Sequence, residues 1–154
     1  MFSADSPGVV GVVTRGAVAG LLGGVVMTAF QRLVEMPLTG REESYAPAVL
    51  VEKLLPIQPE GAKRRRINHV AHFAVGATWG AGHALLVHRT GLRGQRAVAT
   101  AFTAFWGGDV VANTALGLTK PWAWSAQDLA IDVVDKLVLA EATGLIYDRL
   151  DPAG

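Results

Sequence analysis

Several acidic, amide and histidine side chains recur at helical spacing within stretches that are otherwise almost free of charge. They form four groups: Gln31 and Glu35; His69 and His72; Asp109 and Asn113; and Asp128, Asp132 and Asp135. Side chains three, four or seven residues apart lie on one face of a helix. Carboxylates and imidazoles grouped in this way can carry a proton, hold a cation or ligate a metal.

The helices that position these groups are unusually apolar. Of the 154 residues 51% are hydrophobic and 18% are charged, whereas a soluble domain has about 25% charged residues. Residues 16–31 and 67–88 contain no Asp, Glu, Lys or Arg, and residues 97–119 contain only Asp109. A transmembrane helix needs about 20 mainly apolar residues. These three stretches reach that length, and a fourth, 126–147, reaches it with five charged side chains.

We therefore predict a single-domain, all-α protein, a multi-pass bundle of four antiparallel transmembrane helices in the inner (cell) membrane. The predicted helices are at about residues 9–35, 67–88, 96–118 and 126–149. The connection 36–66 contains four prolines, which favour a structured loop. Within it, Pro47 can open a short amphipathic helix that ends at Leu55 and lies along the membrane interface.

Glycines recur at intervals of four on the first three predicted helices. They are Gly16, Gly20 and Gly24, then Gly76 and Gly80, and finally Gly108, which follows Thr100 and Ala104. Such rows let helix backbones approach closely in lipid. We predict that these glycines pack helices together and that the first two helices also mediate self-association into a homo-oligomer. A soluble helical protein is the alternative, but each glycine would cost it about 1 kcal/mol relative to alanine.

Antiparallel helices bring most of the ionisable side chains to one half of the membrane. The predicted polar pocket there consists of Glu35, His69, His72, Asp109, Asn113, Asp132 and Asp135. Asp109 lies about nine residues from the nearer end of its predicted helix, and at a rise of 1.5 Å per residue it would be about 14 Å below the membrane surface. A charge at such depth is costly and by default indicates function. We expect Asp109 and Asp135 to carry charge, His72 to titrate near neutral pH, and Asn113 and His69 to orient them.

The same side chains could instead only hold the helices together. Lys136 follows Asp132 by four residues, so the two can neutralise each other, and Ser125 with Asp128 can cap the last helix. His69 or His72 could bond to an aspartate of that helix. Three functions therefore stay open: a pocket that binds or passes a proton, ion or small polar solute; a non-catalytic scaffold or partner subunit; and an embedded enzyme acting on a lipid or isoprenoid.

Several other kinds of chemistry require residues or motifs that the sequence does not contain. Without cysteine there is no thiolate nucleophile, zinc–thiolate site or iron–sulfur cluster. No phosphate-binding loop is present, and we predict no cofactor. The net charge of +1 gives no basis for attracting nucleic acid. The expected partners are membrane lipid, a second copy of the chain and a partner protein. His69 and His72 are the candidates for a metal-ligand pair.

Several short motifs resemble those of membrane protein families. Motifs along nearly the whole chain are similar to a family of small uncharacterised actinobacterial four-helix membrane proteins: Thr39-Gly40-Arg41, Ser44-Tyr45-Ala46-Pro47, Gly91-Leu92-Arg93-Gly94, Trp122–Asp128, Asp132–Lys136, Thr143-Gly144 and Asp148-Arg149. Glu35-Met36-Pro37-Leu38 with Arg41, and Gly117-Leu118-Thr119-Lys120-Pro121, more distantly resemble the YagU-like inner-membrane proteins. That resemblance implies a four-helix membrane protein linked to acid tolerance. The chain departs from the actinobacterial pattern at Asp135, where that family leads us to expect histidine.

Overall fold

The computed structural model describes residues 8–151, and within that range the chain is helical with no strand. The all-α prediction is thus confirmed. Five helices follow one another in the described range: α1, Val9–Thr39; α2, Ala46–Leu54; α3, Gly61–Thr90; α4, Gly94–Ala115; and α5, Ala126–Leu150. A 3₁₀ turn, Pro121–Ala123, joins α4 to α5. The predicted cap of the last helix is present, since Ser125 and Asp128 form a reciprocal capping box.

Several helix boundaries differ from the predicted ones, and a glycine explains where two of the helices end. α1 continues four residues beyond 35, through a π-helical turn at Gln31–Glu35, and stops before Gly40, whose φ is 69°. α3 begins at Gly61 rather than at 67, so the basic run 63–66 is helical. α4 ends at Ala115 rather than at 118, two residues before Gly117 with a φ of 71°. A left-handed glycine past the last turn is a common helix stop.

Two of the helices, α1 and α3, are long and apolar enough to cross a membrane by length and composition. α4 and α5 do not meet the same criterion among the described residues. For 96–118 the prediction rested on the scarcity of charge. Its uncharged polar residues, such as Thr100, Thr103 and Asn113, lower hydropathy without adding charge.

Glycines bring the backbones of α1 and α3 into contact. A Cβ added to Gly20 would overlap the Gly76 carbonyl, and one added to Gly80 would overlap the Gly16 carbonyl. This pairing makes the two helices antiparallel. Each of these glycine faces is therefore covered by the other helix of the same chain.

Two predicted packing glycines behave differently from these four. Gly24 lies against the flexible ring of Phe73, at 3.3 Å from an added Cβ to the nearest ring carbon. Gly108 has no neighbouring atom within 4 Å of an added Cβ. Its predicted packing role is absent from the single chain, because α4 turns this position away from α3 and α5.

α5 buries both polar and apolar side chains and leaves several apolar ones exposed. Leu139 and Tyr147 are 2% and 1% exposed and belong to the hydrophobic core. Asp135 and Thr143 are only 9% and 2% exposed, whereas Leu145 is 54% exposed. Leu129, Val134 and Leu137 are likewise at the exterior. A helix that packs in water normally has its charged side chains outside, so the buried Asp135 and the exposed leucines of α5 depart from that pattern.

Candidate functional site

A cavity of about 470 Å³ lies between α1, α3, α4 and α5, and the segment that includes the start of α2 borders it. Its volume falls within the range of small-molecule sites. The structure places all seven predicted pocket residues on its wall: Glu35, His69, His72, Asp109, Asn113, Asp132 and Asp135. They come from four helices, so the antiparallel arrangement brings together side chains up to 100 residues apart in sequence.

Lys136 joins two of the aspartates across α4 and α5. Its Nζ donates to Asp109 Oδ2 at 2.9 Å and to Asp132 Oδ1 at 3.0 Å. The Trp106 indole N–H donates to the other Asp132 oxygen at 2.8 Å, and Asn113 Nδ2 donates to the other Asp109 oxygen at 2.9 Å. The predicted Lys136–Asp132 pair is confirmed. Asp109 is bound within the same group, as the partner of Lys136.

Among the aspartates that line the cavity, Asp135 has a buried oxygen without a hydrogen-bond partner in the described residues. Gln31 Nε2, from the π-helical turn of α1, donates to Asp135 Oδ2 at 2.7 Å. The second oxygen, Oδ1, is buried and has no hydrogen-bond partner within residues 8–151. Lys136, next in sequence, is already shared by Asp109 and Asp132. A buried carboxylate oxygen without a donor is costly, so a donor that reached this side chain would stabilise it.

The two histidines of the cavity contact α1 and the following loop rather than an aspartate. His72 Nε2 lies 3.0 Å from Thr28 Oγ1, and Thr28 donates its only proton to the Gly24 carbonyl at 2.8 Å. This network assigns His72 Nε2 as the donor and leaves Nδ1 as an acceptor. His69 Nδ1 lies 3.7 Å from Glu43 Oε1. Within residues 8–151 neither histidine forms the possible hydrogen bond to an aspartate of the last helix, because this part of α3 packs on α1.

Sequence reasoning missed the polar residues that α1 and the next loop add to the cavity. Arg32, Arg41, Glu42 and Glu43 line it. Asn68 holds this loop in place, since its side chain accepts from the Ala48 N–H at 3.1 Å and donates to the Ser44 carbonyl at 3.0 Å. Asn68 itself is 3% exposed. A buried amide at the start of a helix was the available signal, but its two partners lie 20 and 24 residues away.

α2 is fixed to α3 by an ion pair. Arg64 Nε donates to Glu52 Oε1 at 2.7 Å, and the Arg64 guanidinium lies 5.1 Å from the centroid of the Tyr45 ring. The hydrogen bond from Arg64 lowers the pKa of Glu52 below its ordinary value. The cation–π contact and the ion pair together keep α2 beside the cavity.

The lining of the cavity has an excess of negative charge. Its acidic side chains are Glu35, Glu42, Glu43, Asp109, Asp128, Asp132 and Asp135, and its basic ones are Arg32, Arg41 and Lys136. Within the described range 8–151, no three His, Asp or Glu side chains are grouped so as to hold a metal ion. The metal candidates His69 and His72 therefore have no third ligand there.

Comparison with known proteins adds no family to this geometry. No family model, no curated protein and no solved structure matches the chain. The resemblance to the actinobacterial and YagU-like proteins stays a prediction, and function rests on the cavity itself.

Proposed function

We propose that the protein is a multi-pass inner-membrane protein in which α1, α3, α4 and α5 all cross the bilayer, and that its cavity binds a small polar solute or ion. The combination of cavity-lining aspartates and exposed apolar side chains on α5 carries the proposal. Its inner face supplies Asp132 and Asp135 to the cavity, and its outer face presents Leu137 and Leu145. Lipid solvates such an outer face, and intramembrane ionisable side chains typically face a helix-bundle interior or a wetted cavity.

The ion pairs explain how α4 and α5 could cross the membrane despite their charges. Lys136 neutralises one of the two carboxylates that it contacts, and Asn113 and Trp106 donate to the remaining oxygens. Paired and hydrogen-bonded charges cost much less in lipid than isolated ones. α4 and α5 would thus insert as a pair rather than as independent spans.

The bonding pattern favours binding over catalysis. Acid–base catalysis would need a carboxylate and a base free to exchange protons with a substrate. Asp109 and Asp132 are held by Lys136, and His72 is hydrogen-bonded to Thr28. Asp135 Oδ1 is left to meet a ligand, which suits a binding site.

The four-span topology can be tested with single cysteines, because the chain has none of its own. We expect Glu42→Cys and Ala123→Cys to react with an impermeant maleimide from one side of the membrane and Arg89→Cys from the other. Leu145→Cys, facing lipid, should stay unlabelled. If only α1 and α3 spanned, Ala123→Cys would label together with Arg89→Cys, and the proposal of four spans would be wrong.

Solute binding can be tested by native mass spectrometry of protein extracted from membranes in mild detergent. Wild type should retain a reproducible small molecule or ion. Ile131→Trp, which fills the cavity, should lose it, whereas Leu145→Trp on the exposed side of the same helix should keep it. A bare polypeptide in all three samples would contradict solute binding and support a purely structural role for the polar groups.

A further inference from the structure

We infer that the cavity binds a small organic cation, an alkylammonium whose N–H group donates to Asp135 Oδ1. This inference deepens the proposed function and rests on it. Asp135 lines the cavity with a side chain only 9% exposed, and its buried Oδ1 has no hydrogen-bond partner among the described residues; these observations lead to the inference.

The charge of the lining favours a cation over an anion or a neutral solute. Seven carboxylates face three Lys or Arg side chains. Lys136 is shared between Asp109 and Asp132, and Arg32 lies 3.6 Å from Glu43. Among the lining residues, negative charge therefore exceeds what the three Lys and Arg side chains can balance, and a cleft with an excess of one sign of charge concentrates ligands of the opposite sign.

The site suits an organic cation better than a bare metal ion. A metal needs several converging ligand atoms, and no such group of three side chains occurs in residues 8–151. The volume of about 470 Å³ also greatly exceeds that of a single ion. An ammonium needs only acceptors, and Asp135 Oδ1 accepts a charge-assisted hydrogen bond without moving Gln31 from Oδ2.

Apolar side chains beside the carboxylate fit the alkyl part of such a ligand. Leu139 is one helical turn beyond Asp135 on α5, and Val75 and Met27 line the cavity from α3 and α1. A ligand with a charged head at Asp135 and a short hydrocarbon tail along these three residues would satisfy both kinds of surface. This combination of one charged anchor and an apolar wall is usual for small-molecule sites.

The test uses three probes of one size and different charge: n-butylammonium, butyrate and 1-butanol. Purified full-length protein in dodecyl maltoside, in a buffer free of amines, is titrated with each probe by calorimetry and by thermal unfolding. We expect n-butylammonium to bind and raise the midpoint temperature, and the other two to give no response. Preference for butyrate or butanol would overturn the inference.

Asp135→Asn is the deciding variant. Asn keeps the size of the side chain and an oxygen that can accept from Gln31, so the fold should be retained. We expect its Kd for n-butylammonium to rise about tenfold or more, the usual worth of a charge-assisted hydrogen bond. Glu42→Gln removes the same charge from an exposed lining residue and should change Kd less than threefold. Equal Kd values for wild type and Asp135→Asn would overturn the inference.

The two proposals fail in distinguishable ways. If butyrate or butanol binds wild type but not Ile131→Trp, the cavity is a solute site and only the cation assignment is wrong. If no probe binds and native mass spectrometry shows bare protein, the proposed function itself is wrong. If Asp135→Asn fails to fold, Asp135→Glu restores the carboxylate, and it should recover both folding and a response to n-butylammonium.

Discussion

Replacing Lys136 with methionine is expected to destabilise the protein by about 3 kcal/mol, one of the two largest effects predicted for this chain. Lys136 is only 20% exposed and is the cation that both Asp109 and Asp132 contact. Removing one member of a buried ion pair costs about 3–5 kcal/mol, because the remaining charge is left buried. We take the lower end because the two aspartates are each 29% exposed and keep some hydration. Unfolding in detergent or bicelles would measure the loss.

The control variants separate the ion pair from a general effect of losing a lysine. Lys53→Met removes an exposed lysine of α2 and should leave stability unchanged. Adding Asp109→Asn and Asp132→Asn to Lys136→Met should recover at least half of the loss, since no unpaired charge then remains. Such coupling between residues in contact is what a multiple-mutant cycle detects. If Lys136→Met is as stable as wild type, these contacts do not hold α4 to α5.

The sequence predicted the composition of the cavity better than its internal bonding. Helical spacing and antiparallel order were enough to bring Glu35, His72, Asp109 and Asp135 to one place, because both follow from local geometry. The hydrogen-bond partner of each side chain depends on the rotation of each helix about its axis relative to its neighbours. His72 therefore bonds to Thr28 instead of an aspartate, and the two oxygens of Asp135 differ in a way that no spacing reveals.

The position of the loop, the apolar character of the helices and the partners of the glycines were harder to predict from the sequence, each for a different reason. The loop folds over the cavity through Asn68, whose partners are set by tertiary structure. Counting charges did not reveal that 96–118 is less apolar than α1 and α3, because uncharged polar residues also lower hydropathy. The glycine rows predicted close helix packing, but the same row serves helices of one chain or of two. Spacing alone could not show that Gly16 and Gly80 meet within a single chain.

Gly80→Ala is expected to be as damaging as the loss of Lys136, at about 3 kcal/mol or with failure to accumulate in the membrane. A Cβ at this position would overlap backbone atoms of Gly16 and Gly20, which cannot move aside as a flexible side chain could. Overpacking a rigid contact typically costs about 1–3 kcal/mol, and more where backbone must shift. Since Gly24 and Gly76 line the cavity, separating α1 from α3 would also disrupt the solute site.

Three further glycines make this a graded test. Gly20→Ala should match Gly80→Ala, because its Cβ would overlap the Gly76 carbonyl. Gly24→Ala should cost less, since it meets only the Phe73 ring. Gly108→Ala has open space and should be neutral or stabilising by up to about 1 kcal/mol from helix propensity. Thermal unfolding of the four variants would rank them. A loss of stability at Gly108 equal to that at Gly80 would contradict the open space seen around Gly108 in the single chain. It would place Gly108 in an interface between copies.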